Sequence, residues 1–88
     1  MTVVVFAPGA VAAGNSIDLP DGSPPIDRIV HAELFRGSDA TNPAESVAAT
    51  ATKVDENTIT LDVDTTTRDL LVLEYHEVGV LMNPEALK

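Results

Sequence analysis

The chain contains no cysteine and no tryptophan, and three of its 88 residues are aromatic. Without cysteine there is neither a disulfide to hold a small domain together nor a thiolate ligand for a metal. The aromatic residues are Phe6, Phe35 and Tyr75, which is a poor supply for a carbohydrate-binding platform of exposed rings. A module that binds carbohydrate or another small ligand is therefore an alternative and not the first prediction.

Basic residues are scarce: five Lys and Arg stand against fourteen Asp and Glu, which gives a net charge of −9. Binding to nucleic acid needs clustered cations that displace counterions from phosphates, so we expect no nucleic-acid partner. The same charge argues against an anionic membrane surface. The acidity favours solubility and self-repulsion in a free monomer, and a halophilic or marine source or a cationic partner is the more specific alternative.

Long apolar runs are also missing. No stretch of eighteen apolar residues occurs, so no transmembrane helix is expected. The apolar start of the chain superficially resembles a secretory signal, but it has no basic region and is interrupted by Pro8 and Gly9. We therefore interpret it as part of the fold.

Catalytic motifs are absent from the sequence. None of the four serines lies in a G-x-S-x-G pattern, and there is no glycine-rich phosphate loop. A domain of this size also rarely provides the deep cleft that paired catalytic carboxylates need. The sequence therefore predicts a protein that is not an enzyme, with no catalytic residues.

Two sets of residues resemble metal ligands. His31 with Glu33, and Glu74 with His76, would converge if their two strands pair. A second set, with threonine hydroxyls between its members, has ligands suited to Ca²⁺: Asp62, Asp64 and Asp69. Such residues more commonly lie on solvated strand faces and turns, so no metal and no cofactor is predicted.

The clearest secondary-structure signal lies between residues 58 and 78. Apolar residues there occupy every second position in two stretches, Ile59, Leu61 and Val63, then Leu71, Leu73 and Tyr75. This period of two predicts two strands with one buried face each. Because residues 64–69 contain no apolar side chain, the pattern predicts a hairpin with an exposed tip there, preceded by a tight turn at residues 55–57.

Four further segments are predicted as strands: residues 2–6, 10–19, 26–36 and 46–54. Residues 26–36 also fit a helical stripe, but the prolines before them and the glycine after them favour a strand, with Ile26, Val30, Ala32 and Leu34 on one face and Ile29 and Phe35 on the other. Loops are predicted at residues 20–25 and 37–45, the second with a helical turn after Asn42 and Pro43.

Six to seven short strands without a strand–helix–strand rhythm predict an all-β fold. The expected architecture is one domain over residues 1–88, a small antiparallel β-sandwich or barrel of the immunoglobulin-like type. The small side chains of residues 46–54 would allow another sheet or subunit to approach closely.

Residues 54–63 and 66–75 resemble the C-terminal hairpin of small virion proteins of tailed bacteriophages. In those proteins a turn and an N-T-x-T-x strand precede a D-x-L-x-V-x-Y strand, and here Asp69, Leu71, Leu73 and Tyr75 match the second pattern with Leu73 in place of Val. The similarity covers about a quarter of the chain. It implies a capsid decoration (cement) protein on the capsid exterior that binds the major capsid protein or other virion subunits. A tail or head–tail connector component is the alternative.

A chain with eleven alanines and no disulfide has a thin core, which suits a subunit stabilised by assembly. A cement subunit would use symmetric contacts, and a homotrimer at three-fold positions is favoured. The apolar ends of the chain are the predicted protein interface, with ordinary intramolecular core as the alternative: Val3, Val4, Val5, Phe6, Val80, Leu81, Met82 and Leu87.

Overall fold

The computed structural model describes residues 1–79, which form seven β-strands and no helix. The strands are β1 (Thr2–Phe6), β2 (Ser16–Asp18), β3 (Ile26–Arg36), β4 (Glu45–Ala49), β5 (Ala51–Asp55), β6 (Thr58–Leu61) and β7 (Asp69–Glu77). The predicted all-β class and strand number are confirmed.

The strands form two antiparallel sheets, ordered β1-β7-β3-β4 and β2-β6-β5. The predicted small β-sandwich is therefore confirmed. In an immunoglobulin constant domain the first strand pairs with the second, whereas here β1 pairs with β7. The two-sheet architecture is shared, and the path of the chain between the sheets differs.

One hydrophobic core fills the space between the sheets. Its buried side chains come from alternate positions of both sheets and from the loop after β2, as a period of two requires: Ile17, Leu19, Ile26, Ala32, Leu34, Ile59, Leu61, Leu71, Leu73 and Tyr75.

The predicted hairpin between residues 58 and 78 is wrong. Strand β6 belongs to the three-stranded sheet and β7 to the four-stranded sheet, so the segment between them crosses the sandwich. Its polar residues are not an exposed tip, because Thr65 is buried and is bonded to the loop after β1. The Thr65 hydroxyl donates to the Gly9 carbonyl at 2.5 Å and accepts from the Val11 amide at 3.0 Å. The alternation of apolar and polar residues indicates that a strand has one buried face, but it does not indicate which strand lies beside it.

The predicted strand over residues 46–54 is two strands in two sheets. The chain bends at Thr50, where β4 ends its pairing with β3 and β5 begins its pairing with β6. The bend is held by Asp62, whose carboxylate accepts from the Thr50 amide at 2.7 Å and whose amide donates to the Thr50 carbonyl at 3.2 Å. Small side chains on this segment permit the close approach of both sheets.

Residues 26–36 form a strand, as predicted over the helical alternative. The predicted register is wrong in its first half, because irregularities in the pairing with β7 shift the alternation twice before His31. Ile29 consequently packs against the core and Val30 is exposed. A β-bulge inserts a residue that has no partner, and a strict count of alternate positions cannot anticipate it.

The predicted turns are partly confirmed. Residues 55–57 form the tight turn, in which the Asp55 carboxylate accepts from the Asn57 amide at 2.8 Å. No helical turn follows Asn42 in the described chain, because the Asp39 carboxylate accepts the amides of Thr41 and Asn42 and holds them in a bend. The predicted strand over residues 10–19 is reduced to Ser16–Asp18.

Tyr75 connects β7 to the loop that precedes β3. Its ring is fully buried and its hydroxyl donates to the Pro24 carbonyl at 2.6 Å. Burial raises the pKa of the Tyr75 phenol above its usual value, with a smaller contribution from the negative charge of Glu77. The phenol stays neutral and keeps its hydrogen bond throughout the neutral range.

Replacing Thr65 with Val tests the crossing segment. The substitution keeps the shape of the side chain but leaves the Val11 amide and the Gly9 carbonyl without their hydroxyl partner, which we expect to cost roughly 1–3 kcal/mol in the free energy of unfolding. Urea denaturation measures the change. The control is T67V at an exposed threonine in the same segment, where the change should stay within about 0.5 kcal/mol. Equal effects of the two substitutions would contradict the structural role of Thr65.

Candidate protein-interaction surface

The outward side of the four-stranded sheet carries a group of apolar side chains that do not contribute to the core. We call this group the apolar outer face, and it consists of Val3, Val5, Phe35, Leu70 and Val72. The first four are about half exposed, between 45% and 55%. Monomeric soluble proteins rarely expose large contiguous apolar patches, and such a patch commonly marks an interaction site.

Strand pairing makes this face continuous. Val5 lies directly opposite Val72 on β7, and Leu70 lies directly opposite Phe35 on β3. Residues that face each other across antiparallel strands have neighbouring Cβ atoms on the same side of the sheet. The apolar outer face is thus a patch that spans three strands.

A groove of about 480 Å³ opens at the end of this patch. Phe35 and Leu70 supply large apolar side chains to it, and the two arginines, Arg36 and Arg68, also line it. The complete lining is Phe35, Arg36, Gly37, Ala44, Glu45, Ser46, Arg68 and Leu70. An apolar floor with a polar rim is the usual anatomy of a protein-binding surface.

A bidentate ion pair fixes the strand ends beneath the groove. Arg36 Nε lies 2.8 Å from Asp69 Oδ1, and Arg36 Nη2 lies 3.0 Å from Asp69 Oδ2. Asp69 is almost completely buried and also accepts from the Thr66 amide at 2.8 Å. The hydrogen bond from Arg36 is the main reason that the pKa of Asp69 is lowered, and it outweighs the opposing effect of burial.

The cationic groups that line the groove are already paired. Besides its pair with Asp69, Arg36 forms a second ion pair, in which its Nη1 lies 3.6 Å from Glu45 Oε1. Arg68 donates to the Gly37 carbonyl at 2.7 Å and lies 3.4 Å from the Asp39 carboxylate. These pairs hold the shape of the groove and leave little unbalanced positive charge in it.

The other half of the outer surface is polar. His31 lies opposite Glu74 across β3 and β7, and its Nε2 is 3.9 Å from Glu33 Oε2. The two strands that carry the predicted histidine and glutamate ligands are indeed neighbours. Over residues 1–79, however, no three histidine, aspartate or glutamate side chains come together as metal ligands.

The three aspartates considered for Ca²⁺ have separate structural partners. Asp62 bonds to the Thr50 amide, Asp64 accepts from the Ala13 amide at 2.8 Å, and Asp69 is paired with Arg36. Each carboxylate connects two distant parts of the chain. Their oxygens are used to hold loops in place.

The residues predicted as interface are divided between three settings. Val3 and Val5 lie on the apolar outer face, whereas Val4 and Phe6 turn inward and pack against the core. The continuous apolar run of β1 therefore has one buried and one exposed side. The other predicted residues lie outside the described part of the chain: Val80, Leu81, Met82 and Leu87.

Sequence reasoning missed Phe35, Leu70 and Val72. The signal was present, because Leu70 and Val72 occupy the positions of β7 that a solvated strand would give to polar residues. Phe35 lies beside Leu70 because of the pairing register between β3 and β7, which the sequence does not reveal.

Comparisons with known proteins add no relative: no protein-family model, no curated protein and no solved structure matches this chain. Within residues 1–79 there is no helix of the length and apolar character needed to span a membrane.

Replacing Asp69 with Asn tests the ion pair. The substitution removes the charge that balances the mostly buried Arg36, and we expect the free energy of unfolding at pH 7 to fall by about 2 kcal/mol. Since the pKa of Asp69 is lowered in the folded state, this contribution is fully present above the unfolded-state pKa of about 3.9. It is lost as the pH falls through the lower folded-state pKa, so the difference between wild type and D69N should shrink on acidification below about pH 4.

The matched control is E45Q, which changes an exposed carboxylate beside the same guanidinium. Exposed pairs contribute little, so its effect should stay below about 1 kcal/mol. Chemical denaturation between pH 2 and 8 measures both variants. A difference for D69N that is constant over this range would contradict the assignment of the buried carboxylate.

Proposed function

We propose that this protein is a non-enzymatic virion structural protein, a capsid decoration (cement) protein that stabilises the head of a tailed bacteriophage. It binds the major capsid protein or another virion subunit on the capsid exterior through the apolar outer face, as part of a homo-oligomer for which a trimer is favoured. The observation that carries the proposal is the apolar patch across β1, β7 and β3 with the adjoining groove.

The charge distribution supports a docking function for this surface. The chain has a net charge of −9, yet the five side chains of the apolar outer face are uncharged and the guanidinium groups beside them are paired. Depletion of charge at the centre and charged groups at the rim favour a desolvated contact with a protein partner. Phe35 and Leu70 are the two largest side chains of the apolar outer face and adjoin the groove, and a few side chains that fill pockets supply most of the binding free energy at protein interfaces.

The architecture of the subunit also supports a structural role. The polar side chains of residues 62–69 form hydrogen bonds with backbone groups, several of them in distant loops, and in doing so they hold the two sheets together. They are used for cohesion of the fold. A subunit of this kind contributes to a particle by filling and bridging a surface.

A tail or head–tail connector component is the alternative assembly, since the same surface would serve it. A module for carbohydrate or another small ligand would use the groove, where Phe35 supplies an exposed ring. Tyr75 is buried in the core and Phe6 packs against it, so a platform of several rings is not formed by the described residues.

Particle association tests the proposal. Mass spectrometry of purified particles from the source of this chain should detect the protein in stoichiometric amount. Purified protein should co-sediment with heads that lack it. Absence from the particles together with failure to co-sediment with heads would overturn the capsid assignment, and detection on isolated tails alone would favour the alternative assembly.

A double substitution, F35E with L70E, tests the surface itself. Both side chains point outward, so the fold should be kept while two charges are placed in the contact, and we expect binding to heads to weaken at least about 30-fold, corresponding to roughly 2 kcal/mol. The control is V54E, at a comparably exposed valine on the three-stranded sheet. Equal loss of binding by the control would show that added negative charge, not the apolar outer face, governs attachment.

A further inference from the structure

Strand β1 is the edge of the four-stranded sheet. It pairs with β7 on one side, and on its other side no strand from residues 1–79 is bonded to it. An edge strand presents a row of backbone donors and acceptors that can pair with another chain.

This edge lacks the features that usually prevent such pairing. Natural edge strands are protected by charged residues, prolines, bulges or short length, whereas β1 has the sequence TVVVF and pairs with β7 over five residues without a register shift. The other edges in the described chain are protected. Strand β4 carries Glu45, β5 carries Lys53 with a bulge, and β2 has three residues.

Charge indicates which partner fits the edge. A second copy of a chain with net charge −9 is repelled at most approaches. Because β1 has no charged side chain, two copies can meet there without placing like charges opposite each other. The other described edges, which all carry charge, would bring an aspartate, glutamate or lysine into such a contact.

The strand is also complementary to itself in the antiparallel direction. In a register centred on Val4, Val3 of one copy faces Val5 of the other twice, on the outward side. On the inward side Val4 faces Val4, and Thr2 faces Phe6. Pairs of β-branched residues across antiparallel strands stabilise a sheet, and two-fold contacts of this kind close after two subunits.

We infer that two copies of this chain pair through β1 in an antiparallel register centred on Val4, which joins their four-stranded sheets into one of eight strands. The pairing brings together Val3 and Val5 of both copies, so the two apolar outer faces become one continuous surface. The inference rests on the proposed function for its docking surface and departs from it in one respect, because a dimer and not the favoured trimer is then the unit that docks.

The experiment uses the isolated full-length protein and two double substitutions at the same exposed positions. In V3K/V5K the paired strands would place an introduced ammonium opposite another, twice. In V3E/V5K they would place an introduced carboxylate opposite an ammonium, twice. Sedimentation equilibrium over a range of concentrations gives the dimer dissociation constant of each protein.

We expect the wild type to be a dimer and V3K/V5K to dissociate with a constant raised by roughly tenfold or more. V3E/V5K should bind at least about tenfold more tightly than V3K/V5K. Net charge alone predicts the reverse order, because V3K/V5K lowers the magnitude of the charge from −9 to −7 while V3E/V5K leaves it at −9. The control V54K, at an exposed valine of β5, should leave the dimer intact.

Other occupants of the edge have distinct outcomes. A trimer, or a dimer that V3K/V5K does not weaken, would overturn the inference. A wild-type monomer that dimerises only when residues 80–88 are removed would overturn self-pairing of the intact chain and would assign the edge to the end of the chain itself. A monomer under all conditions would overturn self-pairing altogether. These measurements need no particles, so their failure is separable from failure of the capsid-binding test.

Discussion

The position of the candidate surface depends on the ion pair between Arg36 and Asp69. These residues face each other at the ends of β3 and β7, the two longest strands within residues 1–79. A bidentate pair fixes both distance and orientation, so it reinforces the register between the strands where the apolar outer face begins. In that register Phe35 and Leu70, one residue along each strand, lie opposite each other.

The chain passes between the two sheets four times within residues 1–79. Two of these crossings, at Thr50 and near Thr65, are fixed by hydrogen bonds from side chains to backbone. A domain with so few aromatic residues cannot depend on large buried rings, which supply much of the packing area in other small proteins. Carboxylates and hydroxyls therefore connect the loops, and this use explains why the aspartates between β6 and β7 do not converge on a metal.

The apolar side chains are divided between two tasks. One side of β7 supplies Leu71, Leu73 and Tyr75 to the core, and the other side presents Leu70 and Val72 outward. Over residues 70–73 the strand is apolar on both sides, which suits a sheet that is covered there on both sides. In a single subunit one cover is the second sheet, and the proposed partner supplies the other. The unprotected edge of β1 adjoins the same face, so docking and self-pairing would use neighbouring parts of one surface.

The local pattern of residues determined the strand class, the strand number and most of the turns, because alternation, proline, glycine and Asp/Asn act over a few positions. It also indicated the exposure of part of β1 and the absence of catalytic motifs. Tertiary structure decided which strands are neighbours. The two strands of the predicted hairpin, β6 and β7, lie in different sheets, and the alanine-rich segment bends at Thr50 to contribute one strand to each sheet. Bulges in β3 decided that Ile29 and not Val30 faces the core. The candidate surface could not be read from the sequence because Val5, Phe35 and Leu70 meet only through pairing between distant strands, and that pairing depends on long-range packing that no local periodicity encodes.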